Sequence, residues 1–244
     1  MPRPFLIYAQ GRTGSHLLMS LLTSHPLVEC AGEVLNREQW HGPWQFARRA
    51  ALRCPDVYLP WRARRSTSRS WGCKVPIATS ARGLARLASH DWLILFLQRR
   101  SRFDRALSWC VASLTGQFQR ERSEAPTSIT VPESLFREQL AFRRHWDAVS
   151  QGVMRDIPHL PLVYENDLAM PDSWPSTGAT LFARLALPQA DVRPATRRSL
   201  DRSYRDVVTN FDALHRLFVE DGGDDMPGSP RPEDATNLRE PTRR

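Results

Sequence analysis

The chain has 244 residues, long enough for one α/β domain with a sizeable core and a tail. Hydrophobic residues supply 41 % and charged residues 25 %, near the globular averages of roughly 45–50 % and about 25 %, which excludes wholesale disorder. The formal charge of +8 favours an anionic partner.

Lys74 is the only lysine, so the abundance of arginine reflects coding bias as much as function. The densest basic stretch, 62–69, lacks the interleaved aromatics of a stacking platform, and no nucleic-acid partner is expected. The longest apolar run, 92–97, falls far below the ~18 residues of a membrane span. The opening ten residues run straight into Gly11-Arg12 with neither the long apolar region nor the cleavage site of a secretory signal. Cys30, Cys54, Cys73 and Cys110 are scattered without Cys-x-x-Cys or Cys/His ligand spacing. That pattern predicts no disulfide framework and no metal site, in a reducing cytoplasm.

In chain order, 5–10 (FLIYAQ) reads as a buried strand. The turn Gly11-Arg12-Thr13-Gly14-Ser15 leads into a helix marked by Leu17, Leu18, Leu21 and Leu22 and ended by His25-Pro26. A second strand at 28–30 precedes Gly32-Glu33. A helix is predicted over 37–53, with Trp40, Trp44 and Ala47 on one stripe, and a short strand over 71–75. The run 91–98 (DWLILFLQ) is the clearest buried strand, ending abruptly in Arg99-Arg100. Phe103, Ala106, Leu107, Cys110, Val111, Leu114 and Phe118 then trace one face of a long helix. A polar surface excursion at 119–130 precedes a helix after Pro132 that carries Leu135, Phe142, Trp146, Val149 and Val153. A strand at 160–164 and helices within 178–187 and 206–219 complete the domain (1–219), and 220–244 has the composition of a disordered tail. Strands alternating with amphipathic helices predict an α/β, P-loop-like three-layer sandwich with a central parallel sheet, its ligand outside the carboxyl ends of the strands.

Chemistry concentrates in those turns. In Gln10–Leu18, backbone N–H groups and a helix N-terminus suit an anion. Gly14 admits close approach, Ser15 adds a hydroxyl and Arg12 a forked cation. No lysine follows the second glycine, so this is not a Walker A loop, and a kinase is the weaker reading. Arg100 and Ser108 lie eight residues apart, a strand end and the following helix, where together they can grip one phosphate.

These motifs resemble the sulfotransferases that use 3′-phosphoadenosine-5′-phosphosulfate (PAPS). Arg12-Thr13-Gly14-Ser15 matches the family's 5′-phosphosulfate loop, and Arg100 with Ser108 matches its 3′-phosphate pair. Tyr164-Glu165-Asn166-Asp167-Leu168 is similar to its Tyr-Glu-Asp-Leu segment, with Asn166 as an extra residue. The nearest resemblance is to bacterial carbohydrate sulfotransferases of nodulation-factor and trehalose type, with His25-Pro26, Gly32-Glu33 and Asn210-Phe211-Asp212 as further landmarks. Two departures stand out. His16 replaces a common threonine, and no glycine-containing basic segment occurs near the C-terminus, where Arg197, Arg198 or Arg202 are the substitutes to consider.

The resemblance implies PAPS as donor, no metal requirement and a small acceptor with a hydroxyl, on a carbohydrate or another metabolite. Arg12 would stabilise the bridging and sulfuryl oxygens, and Thr13, Gly14, Ser15, His16 and Leu17 would hold the 5′-phosphate through their N–H groups. Arg100 and Ser108 would take the 3′-phosphate. Glu33 is the implied base, most effective with a pKa raised by burial or a neighbouring carboxylate; His16 and His41 are the rivals. Lys74, in a segment like the family's Gly-Phe-Lys, implies a contact to donor or acceptor. Trp40, Trp44, Trp61 and Trp109 are either core or faces for a sugar, with Trp40 and His41 assigned to the acceptor. A nucleotide- or nucleic-acid-binding protein without chemistry is the alternative. Oligomeric state stays open, a homodimer included.

Overall fold

The computed structural model describes residues 3–36, 44–118, 128–195 and 203–223. Five strands form one parallel sheet in the order β2-β3-β1-β4-β5: β1 Phe5–Ala9, β2 Val28–Cys30, β3 Ser70–Val75, β4 Leu93–Gln98 and β5 Leu160–Val163. Its central strand, β1, pairs Phe5 with Gly72 on one side and with Leu93 on the other.

Strand alternation divides the core into two layers. Phe5, Ile7 and Ala9, with Leu93, Leu95 and Leu97, pack under α1 (Ser15–Thr23) and α7 (Trp174–Arg184). Leu6, Tyr8, Ile94 and Phe96 face the other way, with Trp71, Cys73 and Val75 of β3. There they meet α2 (Trp44–Arg53), α3 (Pro55–Ala63) and α4 (Ala81–Ser89) through Ala51, Leu59, Leu84 and Leu87. Continuously apolar strands are what burial on both faces demands.

A third cluster joins α5 (Arg102–Thr115), α6 (Glu133–Met154) and α9 (Phe211–Glu220) around Phe103, whose ring meets Phe136, Phe211 and Phe218 edge-on. The expected α/β sandwich is therefore present, with this bundle added at one end of the sheet.

Three helices differ from their predicted form. The first, α5, stops at Thr115, and Leu114 and Phe118 of its predicted face are exposed. In α6, Phe142 is exposed, and the buried face is Phe136, Gln139, Leu140, Arg143, Asp147, Ser150 and Met154. Polar side chains take the inward positions, so apolar periodicity marked the wrong stripe. The helix predicted over 206–219 is two: α8 (Tyr204–Val207), then α9. Between them the chain is extended at Val208 and bridges Ile129, while Asn210 exchanges two hydrogen bonds with the backbone of Val131. Those bonds take up backbone groups that a continuous helix would use internally.

The stretch 37–43 of the helix predicted over 37–53, most of the 119–130 excursion, Arg197, Arg198 and Arg202, and 224–244 of the tail lie outside the described residues. All four cysteines are free. No described helix is long and apolar enough to cross a membrane.

Candidate active site

The β1–α1 turn stands at the middle of the sheet's carboxyl edge. Arg12 and Gly14 both adopt left-handed backbone, with φ of 68° and 88°. For Arg12 that conformation costs about 1–3 kcal/mol and must be held by its surroundings. Thr13 is buried and its hydroxyl donates to the Gln10 carbonyl at 2.9 Å. At Gly14 a β-carbon would sit 2.4 Å from the Tyr164 ring, so only glycine fits between α1 and that wall. No side chain caps α1, and its first turn has no acidic residue. A helix start of this kind is electrostatically suited to an anion. Leu17 packs into the core and can offer the site only its backbone.

Arg12 leaves the turn toward α5. Its Nε donates to Ser108 Oγ at 2.8 Å and its Nη1 to the Phe118 carbonyl at 2.8 Å. Burial lowers its pKa, and Tyr204, hydrogen-bonded to it, opposes that shift. The structure therefore brings the predicted loop arginine and the predicted phosphate serine into direct contact.

Arg100 is held elsewhere: its Nη1 donates to Asn166 Oδ1 at 3.1 Å. The Arg100 and Ser101 N–H groups both donate to the Glu165 carboxylate, at 3.1 and 3.3 Å. Asp167 takes the Val163 N–H at 2.6 Å. The 164–168 segment, a π-helical turn, thus fixes the start of α5. Arg99 lies over the Tyr164 ring at 4.8 Å and pairs with Asp104 at 3.1 Å. Burial opposes its charge, but Asp104, Tyr204, Tyr164 and Glu165 outweigh it and raise the pKa.

On the other flank, β3 alternates so that Ser70, Gly72 and Lys74 share the α1 side, where Gly72 lies against Phe5. Lys74, 6 % exposed, sends Nζ to Glu33 Oε1 at 2.5 Å. His16 Nε2 lies 3.8 Å from the same oxygen. The Lys74 N–H donates to the Gly32 carbonyl at 2.8 Å, which fixes the Glu33 turn beside it. The neighbour of Glu33 is thus a lysine rather than a second carboxylate. Burial and Lys74 lower the His16 pKa, with Arg12 adding to them and Glu33 opposing. Neutral imidazole is the favoured form, and Arg12 is close enough to act on this flank too.

Several predicted residues stand apart from this site. His25 is structural: the Leu27 N–H donates to its Nδ1 at 3.1 Å, so its Nε2 proton goes to the Pro188 carbonyl at 3.0 Å. Trp61 is 47 % exposed with Arg65 stacked 4.1 Å from its ring, and Trp109 packs on the α5–α6–α9 core. Trp40 and His41 lie outside the described residues, as do the contacts of the Trp44 side chain. Burial raises the Cys30 thiol to about 11, Cys110 to about 12 and Cys73 well above its usual value, which removes them as nucleophiles. Among the described residues no group of three His, Cys, Asp or Glu could hold a metal ion.

Sequence reasoning missed Tyr164 as the wall facing Gly14, Tyr204 as a partner of Arg12, and the buried face of α6. Gly14 carried a partial signal for the first; nothing local marked the others.

These features define a class: a parallel α/β protein with a left-handed glycine turn at the central βα junction and a cluster of acid–base side chains beside it. Within that class the chain is distantly similar to nodulation protein H. It is 29 % identical to nodulation protein H of Rhizobium tropici over 236 residues, covering 89 % of this chain and 90 % of that one. To nodulation protein H of Rhizobium meliloti it is 28 % identical over 235 residues, with 89 % and 92 % covered. The crystal structure of a sulfotransferase from Alicyclobacillus acidocaldarius superposes with a TM-score of 0.48 at 15 % identity, covering 91 % of this chain and 93 % of that one. No protein-family model matches the chain.

Proposed function

We propose that the chain is a sulfotransferase that moves the sulfuryl group of PAPS to a hydroxyl of a carbohydrate or another small metabolite. The observation that carries this reading is the 2.8 Å hydrogen bond between Arg12 and Ser108, which joins two donor-binding motifs 96 residues apart. On this reading one flank offers the Arg12–Ser108 pair to phosphate, with Arg100, held on Asn166, as its further cation. The other offers Glu33, His16 and Lys74 to the acceptor.

The N–H groups from Thr13 to Leu17 receive the 5′-phosphate, and Arg100 and Ser108 take the 3′-phosphate. Glu33 removes the proton of the acceptor hydroxyl as its oxygen bonds to sulfur. The sulfur–oxygen bond to the 5′-phosphate breaks in line, and the developing charge on adenosine 3′,5′-diphosphate (PAP) meets Arg12 and the dipole of α1. Lys74 holds the Glu33 carboxylate in place. His16, kept neutral by burial and Lys74, is the second candidate for the base. Four free cysteines fit a reducing cytoplasm.

Calorimetric titration with PAP, with and without Mg²⁺, tests the reading. The expected result is metal-independent binding, tighter for PAP than for adenosine 5′-phosphate. Mg²⁺-dependent ATP hydrolysis, or oligonucleotide binding with a steep salt dependence, would replace it with a kinase or a nucleic-acid binder. Glu33→Gln should cut turnover about 10²-fold; wild-type turnover would hand the base role to His16.

A further inference from the structure

Behind the glycine turn lies a second layer of charge. Gln139, Arg143, Asp147 and Ser150 of α6 are all buried, and Gln10, Arg102 and Arg105 close over them. Asp147 accepts from Gln10 Nε2 at 2.7 Å, Arg102 Nε at 2.8 Å and Arg105 Nη2 at 2.6 Å. Its single negative charge already serves two guanidinium groups.

Arg143, only 2 % exposed, has poorer partners. Nη1 donates to the Gly11 carbonyl and Nη2 to Gln139 Oε1, both at 3.3 Å, and Nε has no hydrogen-bond partner among the described residues. Its remaining surroundings are the Phe142 ring at 5.3 Å and the charges of Arg105 and Arg12, set against Asp147 and the Cys110 thiol. Burial, then Arg105, pull its pKa down to about 10. A buried cation without a full counter-charge destabilises the fold that contains it. An anion on the far side of the turn would complete the balance.

We propose that Arg143 is a positioning residue for the anion site, acting through the Gly11–Arg12 peptide. That peptide is trans, so a Gly11 carbonyl drawn onto Arg143 sends the Arg12 N–H to the opposite side, away from α6. The same bond holds Arg12 in its left-handed conformation and aims the turn's donors outward. The charge of Arg143, which shares Asp147 with Arg102 and Arg105 and has no carboxylate of its own among the described residues, adds a field that favours an anion there over water. This inference rests on the donor reading above and assigns a role to a residue outside both motifs.

The test compares wild type, Arg143→Met and Arg143→Lys by PAP calorimetry and by thermal unfolding without ligand. Wild-type binding of PAP is the control for the donor reading; its absence would defeat that reading before Arg143 is considered. Arg143→Met should unfold within about 2 °C of wild type or above it, because an apolar residue of similar size relieves the charge burial. It should bind PAP at least about tenfold more weakly. A lower melting temperature with PAP affinity within twofold of wild type would mean that Arg143 only supports the fold, and would overturn the proposal. If Arg143→Met does not fold, Arg143→Lys decides. It keeps the charge and loses the fork, and severalfold weaker PAP binding is expected; unchanged affinity would overturn the proposal.

Discussion

Two neighbouring strand-to-helix turns, β1–α1 and β4–α5, occupy the same edge of the sheet and have opposite chemistry. At α5 the helix N-terminus is already satisfied: Ser101 accepts from the Asp104 N–H at 3.1 Å, and Glu165 takes the N–H groups of Arg100 and Ser101. At α1 a left-handed glycine stands in the cap position, with no side-chain acceptor and no carboxylate. One turn has its cap filled by side-chain acceptors of the protein, and the other has none at its cap position. On the proposed reading the β4–α5 turn and its helix contribute side chains, while β1–α1 contributes backbone donors together with the Arg12 guanidinium.

Substitutions at the two helix starts should separate these roles. Gly14→Ala should have the largest effect on PAP binding, because it strains a φ of 88° and drives a methyl group into Tyr164. We expect about 1–3 kcal/mol lost in denaturant unfolding, together with PAP binding; retained binding would show that the backbone of this turn is not the cradle. Glu165→Gln should come next, at about 1.5–3 kcal/mol in the same unfolding assay for weakened charge-assisted bonds, with PAP binding reduced only through the start of α5. Ser101→Ala should cost about 1 kcal/mol as a lost helix cap and leave PAP affinity near wild type. Equal losses of PAP affinity at Ser101 and Gly14 would erase the contrast.

The smallest effect concerns pH. The folded-state pKa of His16 lies below its usual value of 6.5, with burial and Lys74 the leading causes. Its contribution to stability is therefore complete above about pH 6.5 and is lost as pH falls from there toward the lowered value. His16→Asn should flatten the decline in melting temperature between about pH 6.5 and 5. Superimposable curves would place His16 in an ordinary solvated setting.

Much of this architecture was legible in local pattern. β1 and β4 are apolar throughout because both faces are covered, and the glycine turn between β1 and α1 is a local signal. The face of α6 was not legible, because Gln139, Arg143, Asp147 and Ser150 occupy inward positions that apolar periodicity assigns to solvent. Their burial depends on partners more than thirty residues away in sequence, such as Arg105 and Gln10. The break between α8 and α9 was hidden for a similar reason, since it follows from Asn210 meeting Val131.

The candidate site shows the same division. Arg12, Glu33, Lys74 and Ser108 could each be placed at a strand end or on the helix that follows. Which of them meet was invisible: Arg12 contacts Ser108, and Lys74 pairs with Glu33 on the opposite flank. Tyr204 reaches Arg12 from a segment with no sequence signature at all.

A crystal structure of the protein soaked with PAP addresses the donor site most directly. The 5′-phosphate should rest on the N–H groups of residues 13–17, with the 3′-phosphate beside Ser108 and Arg100. Density for the nucleotide anywhere other than the carboxyl edge of β1 and β4 would contradict the assignment.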